Sequence, residues 1–315
     1  MATQSRKSVA LLFLGGATID ERDRLGDSVS KPAHVKPWLR QMSEMDIIAE
    51  TQGVYVASGV TTIGLAEWQE TADAIKELYD DVDGFVVIHQ LETLPAAAVA
   101  LSLLLQKLGK PVVLCGSPLL SGIERANHQS KQKSTTSEFG AKASFINAVQ
   151  VAVSDIAEVV VVYGSHIYRG RSIVGPMAQV SGDVIGKIDF GIRFFGEHEK
   201  RHDRALKLSA PFDQRLAMIE YLPGVDMSHA FTISRGTRAV FVSSPEGQGA
   251  LTSAVTKLRQ LVPTSLPIIV YQHHHANVPS GVFVIDGTSR ATAVLRVMWA
   301  LGQTDDPKKL QKLLS

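Results

Sequence analysis

A single cysteine, Cys115, stands in 315 residues. That excludes an intramolecular disulfide framework and any Cys-rich zinc site, and it suits a reducing compartment, with the cytoplasm as default. Long hydrophobic runs are missing as well. No stretch approaches the roughly 18 uninterrupted apolar residues that cross a bilayer, and the first apolar run, 9–14, is too short for a secretory leader and passes straight into glycines. An excess of charge of one sign is also absent. With 32 Lys+Arg against 31 Asp+Glu, a formal net of +1, the chain offers no basic field for nucleic-acid phosphates or an anionic membrane. What is present is an ordinary globular mixture, 45% hydrophobic and 20% charged, which folds. A chain of 315 residues exceeds what one core usually absorbs, so two are expected.

Continuous Val/Ile-rich runs at 9–14, 84–89, 111–115 and 159–163 have strand length, and runs apolar on both faces predict a parallel sheet. Between them 65–79, 95–108 and 144–153 carry apolar residues at helical spacing, with Pro95 placed for a first turn. The alternation gives an α/β class. The sequence turns polar and charged over 189–204, and Pro211, Pro223 and Gly224 punctuate the next stretch. A large N-terminal parallel-sheet α/β domain over 1–204, a linker over 205–227 and a smaller C-terminal α/β domain over 228–315 are therefore expected. The second series reads strand 239–243, helix 250–261, strands 267–271 and 282–285, helix 289–301. The polar stretch 125–137 reads as a solvated loop.

In an open parallel sheet, ligands bind beyond the carboxyl ends of the strands. The loops to inspect are Gly15-Gly16-Ala17-Thr18, His89-Gln90-Leu91-Glu92-Thr93 and Gly116-Ser117-Pro118. None contains G-x-G-x-x-G, G-x-x-x-x-G-K-[ST] or G-x-S-x-G, so nucleotide binding and a serine-hydrolase elbow are not indicated.

Four stretches, spread over nearly the whole chain, carry a resemblance: LLFLGGATID; DDVDGFVVIHQLETLPAAAVALSLLLQKLGKPVVLCGS; FINAVQVAVSDIAEVVVVYGSHIYRGR; and VLRVMWALGQTDDPKKLQKLL. They resemble the bacterial-type asparaginases and the related asparaginase-like subunit of tRNA amidotransferases. The resemblance implies hydrolysis of an amino-acid side-chain amide to the acid and ammonia. It implies no metal or organic cofactor, a small amino-acid or amide ligand, and a homodimer or dimer of dimers. Such chemistry needs an activated hydroxyl and donors for the tetrahedral oxyanion.

Position by position, the family pattern is only partly present. Laying Gly16-Ala17-Thr18-Ile19 on the family's Gly-Gly-Thr-Ile sets Thr18 at the first threonine, while the other register puts Ala17 there. In the second signature, usually His-Gly-Thr-Asp-Thr, this chain has HQLETL, with Leu91 at the threonine and Glu92 at the aspartate. Leucine neither attacks nor relays a proton. Glu92 keeps the carboxylate one methylene further out, and a displacement of about an ångström costs on the order of 100-fold. After the Arg169-Gly170 turn, Gly175 stands where the family has its lysine. Val60 replaces a substrate-binding hydroxyl eight residues before Trp68, and Ala250 replaces an asparagine that reaches the neighbouring subunit. The resemblance leaves Gly16, Thr61, His89, Gln90 and Ser117 as substrate-binding positions.

Losing one member of a catalytic unit commonly costs about 10^4–10^6 in rate. The family reading is therefore an asparaginase-like protein in which ordinary L-asparagine hydrolysis is weak or lost, acting as an amino-acid-like ligand binder or partner subunit. The alternative is an active amidohydrolase with Thr18 as nucleophile and a rewired second site at Glu92 and Thr93. Thr93, just before a helix with an early proline, is also placed to be its N-cap. Cys115, ending a buried strand, reads as a core residue. His273-His274-His275 puts two imidazoles on one face of an extended segment, too few for a metal without a third ligand. Lys187 is the candidate for a lysine supplied from elsewhere.

Overall fold

A computed structural model describes residues 6–14, 44–57, 63–116, 135–175, 180–222, 224–225, 233–244, 248–271 and 278–314. The chain divides into two compact units, Met1–Ser209 and Ala210–Ser315.

In the first unit, the described strands are β1 (Ser8–Leu14), β2 (Glu50–Val56), β3 (Gly84–His89), β4 (Leu105–Gln106), β5 (Val112–Gly116), β6 (Val159–Tyr163), β7 (His166–Arg169), β8 (Val184–Ile188), β9 (Ile192–Phe194) and β10 (Lys207–Leu208). Eight of them form one sheet in the order β2-β1-β3-β5-β6-β7-β8-β9, parallel through β6 and antiparallel beyond it. The helices are α1 (Met45–Ile48), α2 (Leu65–Glu77), α3 (Leu94–Leu104) and α4 (Thr135–Ala152). Residues of α1 and α4 pack on one sheet face in a core with Phe13, Ile88 and Cys115. Helices α2 and α3 contact each other, and Trp68 of α2 reaches His89 on the opposite face of β3. Burial on both faces explains why β1, β3, β5 and β6 read as unbroken apolar runs.

The second unit has β11 (Leu216–Glu220), β12 (Ala239–Ser243), β13 (Ile268–Tyr271) and β14 (Val282–Ile285), all parallel and in that order, with α5 (Gln248–Leu261), α6 (Arg290–Gln303) and α7 (Pro307–Leu314). One face carries α5 through Val255 and Leu258. The other carries α6 and α7 through Val297, Leu301 and Leu310. The mixed α/β class, with a large sheet that is mainly parallel and a smaller parallel one, is as expected from the strand pattern.

Several details differ from the sequence reading. Helix α3 stops at Leu104, because Ser209 donates to the carbonyls of Leu103 and Leu104 while residues 105–106 pair with β10. Helix α4 starts at Thr135, so 135–137, expected in a loop, are helical, and the rest of that stretch lies outside the described residues. The stretch 205–227, read as a linker, holds β10 and β11. Strand β2 carries no apolar run to announce it, being half-exposed at the sheet edge.

Each unit fastens helix ends with an arginine. Arg201 donates to the carbonyls of Asp83 (2.5 Å), Ser154 (2.6 Å) and Ala152 (2.8 Å), satisfying the C-terminal end of α4. Arg238 does the same for α6, donating to the carbonyls of Leu301 (2.6 Å) and Thr304 (3.0 Å). It also binds the carboxylates of Asp213 (2.7 Å) and Asp305.

Candidate functional site

Strand order alone marks a place. After β1 the chain adds β2 on one side of it, then β3 on the other, so β1 and β3 are neighbours whose onward connections run to opposite sides. Such a reversal leaves a crevice at the carboxyl ends of the two strands. The loop after β3, residues 90–93, lies there and runs directly into α3.

His89 ends β3 with no exposure. Its Nε2 lies 3.1 Å from the indole Nε1 of Trp68, and its Nδ1 lies 2.8 Å from the carbonyl of Gln90. An indole N–H only donates and a carbonyl only accepts, so the partners fix the tautomer: Nε2 accepts and Nδ1–H donates. Burial lowers the His89 pKa to about 4, against smaller opposing contributions from the Gln90 carbonyl and the Glu92 charge. The ring is therefore neutral and both nitrogens are engaged. It orients the loop, and it has no free nitrogen to offer a ligand. Trp68, used in the sequence only as a landmark, is the partner that was missed. Its signal was the buried stripe Trp68, Thr71, Ala72, Ile75 at helical spacing on α2. That helix is fixed at its start by Glu67, whose carboxylate accepts from the Gly64 N–H at 2.8 Å.

Beyond Gln90, Leu91 is buried and packs on the end of β5: a Cβ built on Gly116 would lie 2.5 Å from Leu91 Cδ2. An apolar side chain thus closes against the backbone at the end of β5. Glu92 is exposed. Thr93 occupies the N-cap position of α3, its carbonyl accepting from the Ala97 N–H, but its hydroxyl makes no capping bond. The physical reason is local. Thr93 has φ −108° and ψ 3°, not the extended backbone that aims a cap, and Pro95 removes the N–H at the second helical position. The Thr93 Oγ1 is buried and without a partner among the described residues.

On the neighbouring strand, burial pushes the Cys115 thiol up to about 12, which keeps it protonated and without nucleophilic character. Gly175 is exposed with φ +83°, a backbone geometry that suits glycine and strains a lysine. Lys187 lies on β8 between His166 and Arg193 in register. Four strand positions separate β8 from β3, about 19 Å at ordinary strand spacing, beyond the reach of a lysine side chain. Gly16, Thr18, Thr61, Ser117 and His273-His274-His275 lie outside the described residues. Among the described residues no three His, Cys, Asp or Glu side chains are grouped to hold a metal, and no helix is long and apolar enough to cross a membrane.

A family model described as "Asparaginase, N-terminal" matches residues 8–179. Over 339 aligned residues, covering 97% of this chain and 77% of the relative, the sequence is 26% identical to the D subunit of the glutamyl-tRNA(Gln) amidotransferase of Methanosarcina acetivorans. It is 30% identical over 174 residues to L-asparaginase 1 of Escherichia coli, covering 53% of this chain and 46% of that one. In fold it is similar to L-asparaginase I from Vibrio cholerae, with a TM-score of 0.73 at 18% identity, covering 99% of this chain and 97% of the other.

Proposed function

The chain belongs to the asparaginase family, and we propose that it is a member whose ordinary L-asparagine hydrolysis is weak or lost, retained to bind an amino-acid-like ligand or to serve as a partner subunit. The observation that carries this reading is Leu91. At the second threonine position an apolar side chain is buried against Gly116, so loss of the hydroxyl comes with a packing contact that occupies its place. Gly175 supports it, since its left-handed backbone is shaped for glycine and not for an amine-bearing side chain. The partner-subunit role is supported by a relative aligned along 97% of this chain, itself named as a subunit. The binding positions proposed are Gly16, Thr61, Gln90 and Ser117, with His89 holding the loop. Assembly as a homodimer or tetramer and a cytoplasmic location complete the reading.

One observation favours a second reading, an active amidohydrolase built on Thr18, Glu92 and Thr93. The Thr93 hydroxyl is buried and unpartnered at the start of α3, where the helix dipole favours developing negative charge.

Ammonia release from L-asparagine and L-glutamine by the purified protein separates the two. Turnover below about 1 per second is expected; a value in the ordinary range of about 1–1000 per second overturns the first reading. Any residual activity that survives Thr18→Ala unchanged overturns the second. Calorimetry with L-aspartate tests ligand binding independently of turnover.

A further inference from the structure

We propose that the hairpin joining β8 to β9 is one half of a two-fold interface between copies of this chain, in which the Phe190 ring of each copy seats in a groove beside α4 of the other. Phe190 sits at the hairpin tip with a relative exposure of 109%, so its ring gains no cover from its own chain. Beside it, within the same unit, opens a groove of about 410 Å³. Ile48, Val153, Ile188 and Ile192 give it apolar walls, and the polar residues Asn147 and Gln150 also line it. The groove has a structural origin. Helix α1 is a single turn and α4 ends at Ala152, so the cover over this sheet face stops short of the hairpin, where Ile192 and Phe194 pack at the rim of the core. Ile47, on the same short helix as Ile48, is 85% exposed and extends the apolar surface.

A second copy is the occupant that fits. The projecting ring and the groove lie side by side on one hairpin, since Phe190 itself lines the groove. One two-fold axis beside the hairpin satisfies both at once, each ring entering the other copy's groove, as an isologous contact requires. The charges agree with this. Asp189 and Arg193 of the hairpin are ion-paired with each other, and Arg193 is two-thirds exposed. A surface bearing one charge of each sign is complementary to itself across a two-fold axis, and it presents no net field for a partner of opposite charge. The position at β9, the free edge of the eight-stranded sheet, leaves the approach open among the described residues.

The assembly belongs to the function proposed above; the surface is the new element. Light scattering and sedimentation velocity on the full chain, across a concentration series, compare the wild type with Phe190→Asp and with Leu222→Asp, a control on another exposed apolar side chain in the second unit. The expected result is a wild-type mass at a multiple of 34.1 kDa, halved by Phe190→Asp at an unchanged melting temperature and untouched by Leu222→Asp. A monomeric wild type overturns both the homo-oligomer and this surface. An assembly that survives Phe190→Asp, or that Leu222→Asp dissolves instead, overturns this surface alone.

Discussion

The parallel part of the large sheet and the small sheet are made of the same material, short Val- and Ile-rich strands with helices on both faces, yet their strand orders differ. In the large sheet the order doubles back around β1, and in the small one β11, β12, β13 and β14 follow each other without reversal. A reversal parts two neighbouring connections and opens a crevice; a sheet that always advances the same way keeps its connections side by side. Of the motif residues, His89, Gln90, Leu91, Glu92 and Thr93 are described, and they follow β3 at the reversal; the difference shows in what ends the central strands. β3 ends in His89, buried with both ring nitrogens bonded. β12 ends in Ser243, buried with a hydroxyl that bonds to nothing among the described residues.

The arginine fasteners extend the comparison, because Arg201 relies on carbonyls while Arg238 also relies on carboxylates. The largest effect is expected from Arg201→Ala, which strips three main-chain carbonyls of a charged donor and costs about 4 kcal/mol. Urea unfolding measures it, with hydrogen exchange as the local readout. If the last turn of α4 keeps its protection in the variant, the fastening role is wrong. Next comes His89→Ala, expected to cost about 3 kcal/mol through two lost hydrogen bonds and a cavity under α2. The same residue sets a pH window for the large unit. Its folded pKa of about 4 lies below the ordinary 6.5, so the unfolded chain takes up the proton first, and stability is expected to fall as pH drops from 6.5 toward 4. His89→Gln, neutral at every pH, flattens that slope; an unchanged slope removes His89 as its source.

How much of this was legible in the sequence depended on whether local pattern carried the information. The both-sides-buried strands could be read directly, since burial writes itself as uninterrupted Val and Ile. β2 could not, because an edge strand buries only part of ETQGVYV and keeps its polar residues outside. The start of α4 lay hidden in a Ser/Thr-rich stretch whose composition resembles a loop. Leu91 was legible as an apolar residue in the loop after β3, while its seat on Gly116 depends on the register of β3 against β5, a non-local fact. The engagement of both His89 nitrogens depends on Trp68, 21 residues away on another element. For His89 and Leu91, pairing with distant elements decided what each side chain was free to do.

In the small unit the corresponding pH window lies lower. Hydrogen bonds and charge from Arg215, with further bonds from Arg238, hold the Asp213 carboxyl well below its ordinary value of 3.8, against the opposing effect of burial. A lowered carboxylate contributes stability that is present above about pH 4 and lost as pH falls through the folded value. Asp213→Asn is therefore expected to cost about 2 kcal/mol at pH 7 and to erase the small unit's acid sensitivity below pH 3.8 while leaving the His89 window intact. Loss of both windows together in that variant would mean that the two units do not titrate separately.

The smallest effect is expected where the contrast is sharpest. Ser243 stands at the end of β12 with 2% exposure, on the face that Ala239 and Phe241 turn toward α6. Its hydroxyl is out of water and bonded to nothing among the described residues, so the native state already bears the desolvation cost. Ser243→Ala removes the oxygen and that cost together, and the stability change is expected to fall within about 0.5 kcal/mol of zero or on the stabilising side. His89→Ala, at the matching position in the large sheet, removes groups that are fully bonded and is costly. Chemical denaturation of the two variants side by side reads the difference directly. A destabilisation above about 1 kcal/mol for Ser243→Ala would show that the hydroxyl is engaged, and the small sheet would then have a strand end as closely built as that of β3.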